Sequence, residues 1–331
     1  MPTDLRAAPL VLAGVLLLAA CGTQSAGEGA GSTGGPVAVA TVCPSDHPQY
    51  GDLSTEQPSE QPRPSGTPTP LPVPSYDDAP DDGVKITGLY AWGAGSGCGT
   101  DPSFSADFEI TNDGTAAATY TVTFGFRSGS GTAVDDPERT IAAVGAGKTV
   151  KGTVVARGST GTSADVSSVT VVKVRSVPVD EAPSQSGPCP ESGVRVYADR
   201  GDAAMGLRVV GLHLVNCGSR PYEVNGYPEV EVLDEDHETV DEVKILQGTD
   251  QIGGGLGGTA PQPLVLQPGE TAQAGLAWRN TTEFGDPVNA PYVRVRPRPG
   301  AAPVMVTPEL DLGTTGRLGV DAWTKETVSA G

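Results

Sequence analysis

A short acidic stretch, residues 229–242, is the strongest concentration of charge in the sequence. It holds eight Asp and Glu residues and no Lys or Arg. Hard cations such as Ca²⁺ are bound by several oxygens that converge on one point. A hairpin here would bring together four candidate calcium ligands: Asp234, Asp236, Asp241 and Glu242. We favour the alternative, in which a charged strand and turn keep the surface soluble while Val230 and Val232 enter the core, and we predict no metal site.

A basic stripe forms the second charge pattern. Arg294, Arg296 and Arg298 alternate with apolar residues, which places three guanidinium groups on one face of a strand. Such a stripe could bind an anionic envelope polymer or a partner. We favour the alternative that it neutralises acidic strand residues such as Glu229 and Glu231 within the same domain, because opposite charges across a sheet are mildly stabilising.

The sequence offers little for covalent catalysis or for zinc. It contains neither Gly-x-Ser-x-Gly nor Cys-x-x-Cys, and the three His residues are scattered. His213 lies between Leu212 and Leu214 in a strand, so we expect a hydrogen-bonded or solvated side chain on the face opposite these leucines. His237 lies in an acidic turn and is expected to be exposed. We therefore predict no catalytic residue, no cofactor and no enzymatic activity.

The N-terminus indicates where these elements are placed in the cell. Arg6 precedes the apolar run 7–20, which is typical of a secretory signal peptide and too short to span a bilayer. Leu18-Ala19-Ala20-Cys21 resembles a bacterial lipobox. The resemblance implies a lipoprotein signal peptide over 1–20, transfer of a diacylglycerol to the Cys21 thiol, cleavage before Cys21 and acylation of its new amine, for instance with palmitate. It also implies an anchor on the extracytoplasmic face of the cell membrane.

A long stalk follows the acylated cysteine. The sequence has 45 Gly and 30 Pro in 331 residues, and many of them lie before residue 84. Residues 22–40 are rich in Gly, Ala, Ser and Thr, and ten Pro lie between Pro44 and Asp82. Such segments stay flexible or adopt extended polyproline II, so we predict a disordered spacer over 21–83. A Pro-rich recognition ligand is the alternative.

Alternation of apolar and polar residues begins at Val84 and predicts an all-β fold. Domain 84–178 contains the predicted strands 84–92, 104–111, 120–127, 149–156 and 169–177. After the linker 179–188, domain 189–325 contains the predicted strands 194–197, 207–215, 229–233, 242–246, 264–266, 272–278 and 292–295. Frequent turns between short strands favour two immunoglobulin-like antiparallel β-sandwiches in tandem after the disordered Pro-rich stalk.

The second domain carries a specific resemblance. Four segments of this domain resemble the actinobacterial domain-of-unknown-function 4232 family. They are Leu214-Val215-Asn216-Cys217-Gly218, Asn225-Gly226-Tyr227-Pro228, Leu266-Gln267-Pro268-Gly269-Glu270 before Trp278, and the closing segment 316–323. The match covers about residues 189–323. It implies an immunoglobulin-like exported domain, often on a lipoprotein, and no established activity.

The cysteines fit an oxidising compartment outside the cytoplasm. With Cys21 acylated, Cys43, Cys98, Cys189 and Cys217 remain, and four cysteines allow three connectivities. Because Cys189 and Cys217 belong to one domain, we predict a disulfide between them. A Cys43–Cys98 disulfide would then tie the start of the stalk to the first domain.

The composition narrows the class of function. The net charge of −19 disfavours nucleic acid as a partner, since a polyanion requires basic surface. The leading hypothesis is a non-enzymatic, lipid-anchored envelope protein whose two β-sandwich domains bind a protein or an envelope polymer that the sequence does not identify. The alternatives are a structural or accessory lipoprotein without a dedicated ligand, and an extracellular hydrolase that uses carboxylates.

Overall fold

The fold is all-β in the part of the chain that the structure describes. A computed structural model describes residues 41–42, 65–73, 83–93, 103–157, 165–253 and 260–326. The chain from Ala40 to Gly331 forms one compact unit, distinct from Met1–Val39. Within the described ranges, none of the helices is long and apolar enough to cross a membrane. The predicted signal peptide and the acylation site at Cys21 lie outside these residues.

The first domain is built from two facing sheets. Before this domain, β1 Thr41–Val42 pairs with β2 Ser65–Gly66. The strands of the domain are β3 Thr69–Leu71, β4 Val84–Trp92, β5 Ser103–Thr111, β6 Ala118–Ser128, β7 Ala133–Asp135, β8 Glu138–Val144, β9 Thr149–Arg157 and β10 Val166–Pro178. One sheet has the order β3-β4-β5-β9, and in the other β6 pairs with β10, β7 and β8. Alternate side chains of the two sheets, among them Phe108 and Phe124, enclose one apolar core.

The second domain has a larger sheet and several small ones. Its strands are β11 Val194–Ala198, β12 Asp202–Ala204, β13 Leu207–Asn216, β14 Tyr222–Asn225, β15 Glu229–Leu233, β16 Lys244–Gln247, β17 Pro263–Leu266, β18 Thr271–Arg279, β19 Val288–Ala290, β20 Tyr292–Arg296, β21 Val304–Val306, β22 Leu310–Gly313, β23 Arg317–Val320 and β24 Thr324–Lys325. The order β11-β13-β18-β23-β16 forms the large sheet, and β15-β20-β21 forms a three-stranded sheet. Both contribute to a second core.

The predicted strands lie close to the observed ones, and the remaining differences have physical reasons. The predicted segment 242–246 is shifted, because the strand begins at Lys244 and pairs in parallel with β23 rather than in a hairpin. Several strands were not predicted, among them β22, because it has only four residues, and β8, because most of its side chains are partly or fully exposed and show no clear apolar alternation. An all-β fold with several antiparallel sheets is confirmed.

The predicted stalk is wrong where it approaches the first domain. Thr69, Pro70 and Leu71 form β3, which pairs antiparallel with Leu89–Ala91 of β4. Leu71 also packs against the apolar core. A proline is tolerated here because β3 is an edge strand, where one side of the backbone needs no partner. The rest of the predicted stalk, apart from the short pair β1–β2, lies outside the described residues.

The predicted linker 179–188 is also structured at its start. Val179–Glu181 form a 3-10 helix directly after β10. The backbone N–H of Val179 donates to the carbonyl oxygen of Ala117 at 3.1 Å. The chain therefore leaves the first domain along a fixed path.

A buried asparagine at the end of β13 organises the second domain. The Nδ2 group of Asn216 donates to the carbonyl oxygens of Arg220 at 2.8 Å and Leu266 at 2.7 Å. Its Oδ1 accepts the N–H of Gly218 at 3.1 Å. Its backbone N–H donates to Glu270 O at 3.0 Å. The Asn-Cys-Gly step of the resemblance thus joins two turns that are far apart in sequence.

The first domain repeats this arrangement at the end of β5. Asn112 Nδ2 donates to the carbonyl oxygens of Ala116 and Val144, both at 2.8 Å, and its Oδ1 accepts the N–H of Gly114 at 2.9 Å. Its backbone N–H donates to Lys148 O at 3.0 Å. Each bond has a counterpart around Asn216.

The strands that lead into these asparagines also pair with their partners in the same register. Nine residue pairs join β5 to β9, from Thr111↔Thr149 to Ser103↔Arg157. Nine pairs likewise join β13 to β18, from Val215↔Thr271 to Leu207↔Arg279. The two domains therefore share one local construction of paired strands and asparagine-linked turns.

Candidate functional site: the junction between the two domains

The two domains meet in a small apolar cluster. Val177 from the end of β10 packs with Leu233, Tyr292 and Met305 of the second domain, and all four are buried. The backbone N–H of Ser176 donates to the Tyr292 hydroxyl at 3.1 Å. Burial raises the pKa of the Tyr292 phenol, so the group stays neutral and serves as a hydrogen-bond partner. We call this cluster and the ion pairs around it the junction.

An arginine and a glutamate connect the domains beside this cluster. Arg175 Nε and Nη2 donate to the two carboxylate oxygens of Glu309, each at 2.8 Å. Lys173 Nζ lies 3.3 Å from Glu309 Oε1. A bidentate pair fixes orientation as well as distance, so it sets the angle at which the domains meet.

A second set of ion pairs explains the basic stripe. Arg294 Nε donates to Glu181 of the structured linker at 2.8 Å, and its Nη1 donates to Glu231 at 2.9 Å. Arg296 lies opposite Glu229 in the β15–β20 register. The prediction that the stripe neutralises the acidic strand is confirmed for Arg294, whereas Arg298 donates to the carbonyl oxygen of Glu223 at 2.9 Å and lies over the Tyr222 ring. Glu181, which the sequence reasoning had not singled out, adds a contact from the linker.

The contact with Arg294 depends on pH in a defined direction. Hydrogen bonds from the Thr239 hydroxyl and from Arg294 lower the pKa of Glu231 below its ordinary value. A carboxylate with a lowered pKa in the folded state stabilises the fold above its ordinary pKa. That contribution is lost as the pH falls through the lowered value.

A polar cleft of about 660 Å³ opens beside the junction. We call it the junction cleft and define it by its lining residues: Arg175, Asp234, Glu235, Asp236, Asn289, Ala290, Pro291, Glu309, Leu310 and Asp311. Five of these residues carry a carboxylate and one carries a cation. Because the guanidinium of Arg175 is bound to Glu309, the cleft presents excess negative charge to a ligand.

Several carboxylates of the cleft are held in place by the fold. Asp311 accepts hydrogen bonds from Trp278 Nε1 at 2.7 Å, Asn280 Nδ2 at 3.0 Å and Arg208 Nη2 at 3.2 Å. These donors come from the large sheet and the loop that follows it, so they fix the far wall of the cleft. Glu235 is exposed at the rim, where its Oε1 lies 3.8 Å from Arg175 Nη1 and where a ligand would meet it first.

The acidic turn between β15 and β16 supplies this rim. Asp234 Oδ1 accepts the backbone N–H groups of Asp236 and Glu238, both at 2.9 Å. The prediction that His237 is exposed is wrong: its ring packs edge-on against Tyr292 with centroids 4.4 Å apart. A positive φ of 63° turns its side chain inward from the charged turn.

The candidate calcium ligands do not meet at one point in the described structure. Asp234 and Asp236 line the junction cleft, whereas Asp241 and Glu242 are exposed residues that follow the turn. Within the described ranges, no group of three or more His, Cys, Asp and Glu side chains is placed to hold a metal ion. The predicted core positions behind them are confirmed, since Val232 is buried and Val230 packs against the core.

His213 has the environment predicted for a strand histidine. Leu212 and Leu214 point into the core, and the His213 ring lies on the opposite face, stacked on Tyr197 with centroids 4.9 Å apart. Its Nδ1 lies 2.9 Å from Glu326 Oε1, and its Nε2 lies 3.4 Å from Asp199 Oδ2. These contacts join the C-terminal strand to the β11–β13 hairpin.

The cysteines of the second domain form the predicted disulfide. Cys189 and Cys217 are bonded, with Cα atoms 5.6 Å apart. Cys217 directly follows Asn216, so the disulfide fixes the start of the domain to the asparagine-linked turn. Cys43 and Cys98 lie outside the described residues, and their pairing stays a prediction.

The comparison with protein families agrees with this architecture. Residues 189–324 match the family described as a domain of unknown function, DUF4232. The second domain is thus a DUF4232-like domain, as the sequence resemblance predicted. The residues that carry the resemblance have structural roles, because Asn216 joins turns, Trp278 donates to Asp311 and Trp323 Nε1 donates to Pro297 O at 2.9 Å.

The comparisons with individual proteins do not identify an activity for this chain. No curated protein matches the chain. Among solved structures, a red sea bream transglutaminase is similar with 12% sequence identity and a TM-score of 0.16, and the match covers 73% of this chain and 31% of that one. The chain thus spans less than a third of that protein's length, and so low a TM-score bears on neither fold nor activity.

Proposed function

We propose that this chain is a non-enzymatic, lipid-anchored protein of the cell envelope that binds a basic ligand in the junction cleft. The ligand is a protein segment or an envelope polymer with exposed cationic groups. The observation that carries the proposal is the cleft itself, where Arg175 is paired with Glu309 and three further carboxylates, Asp234, Glu235 and Asp236, form the rim. Charge complementarity of this kind favours encounter with cationic groups.

The fixed junction supports binding as the mechanism. Asp234 and Asp236 come from the turn after β15, whereas Arg175 comes from β10 of the other domain. Since both the apolar cluster and the Arg175–Glu309 pair hold these walls together, the cleft is arranged before a ligand arrives. Such preorganisation lowers the entropic cost of binding.

Crosslinking from inside the cleft tests the binding proposal. A photocrosslinking amino acid at Asn289 should give a discrete adduct when the intact protein is irradiated in its own envelope. The Glu235→Gln/Asp236→Asn double variant should reduce this adduct about tenfold, because losing rim charges weakens a cationic ligand by about the energy of one strong ion pair. The matched control places the same crosslinker at the exposed Thr132 of the β6–β7 turn.

The outcomes separate the alternatives. An adduct of the same mass from Thr132, or one that is unchanged in the double variant, would contradict binding in the cleft. No adduct from Asn289 would favour an accessory envelope protein without a dedicated ligand.

The lipid anchor is tested separately. Wild-type protein labelled with a palmitate analogue should carry the label and sediment with membranes, whereas Cys21→Ser should lose the label, because the thiol is the group that receives the diacylglycerol and its fatty-acyl chains. Ser25→Ala, a nearby change that leaves the thiol intact, serves as control. A wild-type chain without label would show that Cys21 is not acylated.

A further inference from the structure

Two large apolar side chains of the second domain are almost completely exposed. Met205 is 98% exposed and Phe284 is 99% exposed. The other exposed large apolar residues in the described ranges are exposed by 37% to 53%, because part of each side chain packs on the fold. Met205 and Phe284 thus gain almost nothing from packing within the chain.

These two side chains project from adjoining loops. Met205 lies in the turn between β12 and β13, and Phe284 lies in the segment between β18 and β19. The N–H of Asn280 donates to Gly206 O at 3.0 Å, and the N–H of Glu283 donates to Thr314 Oγ1 at 2.9 Å. Because these bonds brace both loops, the apolar tips are held at the same end of the domain.

The backbone at Met205 is unfavourable for the residue it carries. Met205 and Gly206 form a two-residue turn in which φ is 45° and 79° respectively. Turns with two positive φ values favour Asn, Asp or Gly at the first position, and a methionine there is strained. Asparagine would be less strained at this position. A methionine that is present despite the strain points to a contact of its side chain outside the chain.

The exposed charges of these loops are mixed. Arg200 and Asp202 lie before the Met205 turn, and Glu283 and Asp286 flank Phe284; all four are exposed. Acidic groups outnumber basic ones, so electrostatic attraction to an anionic surface is not expected. A contact made here depends on the apolar tips.

We propose that Met205 and Phe284 insert into the interfacial region of a lipid bilayer and dock the second domain on the membrane. Protruding side chains on separate loops fit a deformable apolar phase, which accepts them without a preformed pocket. The proximity of the bilayer rests on the proposed anchor at Cys21. The affinity rests only on apolar burial of the two tips.

Sedimentation with vesicles tests the proposal without the anchor. The chain from Gly22 onward lacks leader and acyl group, and it retains the compact unit that begins at Ala40. Because two side chains bury less apolar area than one myristoyl chain, which by itself binds marginally, it should bind weakly, at high lipid concentration, to phosphatidylcholine vesicles with or without phosphatidylglycerol, and binding should change little with salt. Met205→Asn and Phe284→Ser should each weaken partitioning about tenfold, as expected for one large apolar side chain.

Two controls separate insertion from misfolding. Met205→Asn introduces a residue that the turn prefers, so its melting temperature should equal or exceed that of the wild type. Val265→Ser changes an apolar residue that is 46% exposed in β17 and should leave partitioning unchanged.

Four results would overturn the proposal: absence of wild-type binding to both vesicles, equal binding by the tip variants, binding that disappears with added salt, or a wild-type dimer that the tip variants abolish. The last would identify a second copy of the chain as the occupant. Because the tested chain carries no acyl group, failure here is distinguishable from failure of the proposed anchor.

Discussion

Replacing Asn216 by alanine should lower the free energy of unfolding of the second domain by about 3 to 5 kcal/mol. The side chain is 1% exposed and makes hydrogen bonds to three backbone groups. Alanine would leave the buried carbonyl oxygen of Leu266 and the partly buried one of Arg220 without this donor, and would remove the acceptor of the Gly218 N–H. Each unsatisfied buried group costs about 1 to 3 kcal/mol. Urea unfolding followed by the fluorescence of Trp278 and Trp323 measures the change.

The equivalent asparagine provides a matched experiment. Asn112 is also 1% exposed and holds the corresponding turn in the first domain. Asn112→Ala should therefore produce a loss of similar size, first detected by Trp92, which lies in that domain. Asn289→Ala, an exposed asparagine, should change stability by less than about 0.5 kcal/mol.

A conservative replacement distinguishes hydrogen bonding from packing. Asn216→Asp keeps the shape and the oxygen that accepts the Gly218 N–H, but it loses the amide that donates to two carbonyls. It should be nearly as destabilising as alanine. If Asn216→Asp is close to wild type, or if Asn216→Ala costs less than about 1 kcal/mol, the asparagine does not organise the turns as described.

Alternation in the sequence was sufficient to locate most strands of both domains. The pattern at Val84–Trp92 and Glu229–Leu233 predicts strands with the observed bounds, because one face of each strand is buried and the other is polar. Turn residues such as Gln267-Pro268-Gly269-Glu270 also lie where predicted, directly before β18. These features depend on local chemistry that the sequence displays.

The shared construction of the two domains was not predicted, although a sequence pattern accompanies it. Asn-x-Gly occurs at 112–114 and 216–218, and Gly-x-Thr occurs at 147–149 and 269–271. Either pattern alone indicates only a turn. Their connection depends on bonds such as Asn112 to Val144, which are 32 residues apart, and Asn216 to Leu266, which are 50 apart.

The sequence predicts only part of the candidate site. The acidic turn was recognised, but its role as the rim of a cleft depends on the first domain. Arg175 and Glu309 are 134 residues apart and neither belongs to a motif. Nothing local distinguishes this pair from other surface charges, so the junction emerges only when both domains are placed together.

Breaking the Arg175–Glu309 pair should uncouple the two domains. Arg175→Met removes both hydrogen bonds and leaves Glu309 with Lys173 as its remaining basic neighbour among the described contacts. The Arg175 side chain is 15% exposed and that of Glu309 is 34% exposed, so the pair is only partly screened by solvent. We expect a loss of about 2 kcal/mol, between the values for exposed and buried ion pairs.

The variant should weaken the coupling between the two domains rather than the stability of either apolar core. Val177, Leu233 and Met305 remain apolar and packed, but the orientation set by the bidentate pair is gone. Unfolding followed by Trp92 and by Trp278 should therefore show midpoints that lie further apart than in the wild type. Small-angle scattering should show a larger radius of gyration, since the domains sample more orientations.

A surface ion pair within one domain supplies the control. Lys151→Met breaks the contact between Lys151 Nζ and Glu109 Oε1 at 3.1 Å, in which the lysine side chain is 84% exposed. It should change stability by less than about 0.5 kcal/mol and leave the two midpoints as they are. If Arg175→Met behaves like this control, the apolar cluster and the Arg294–Glu181 contact hold the domains together without it. The walls of the junction cleft would then owe their arrangement to those contacts rather than to the Arg175–Glu309 pair.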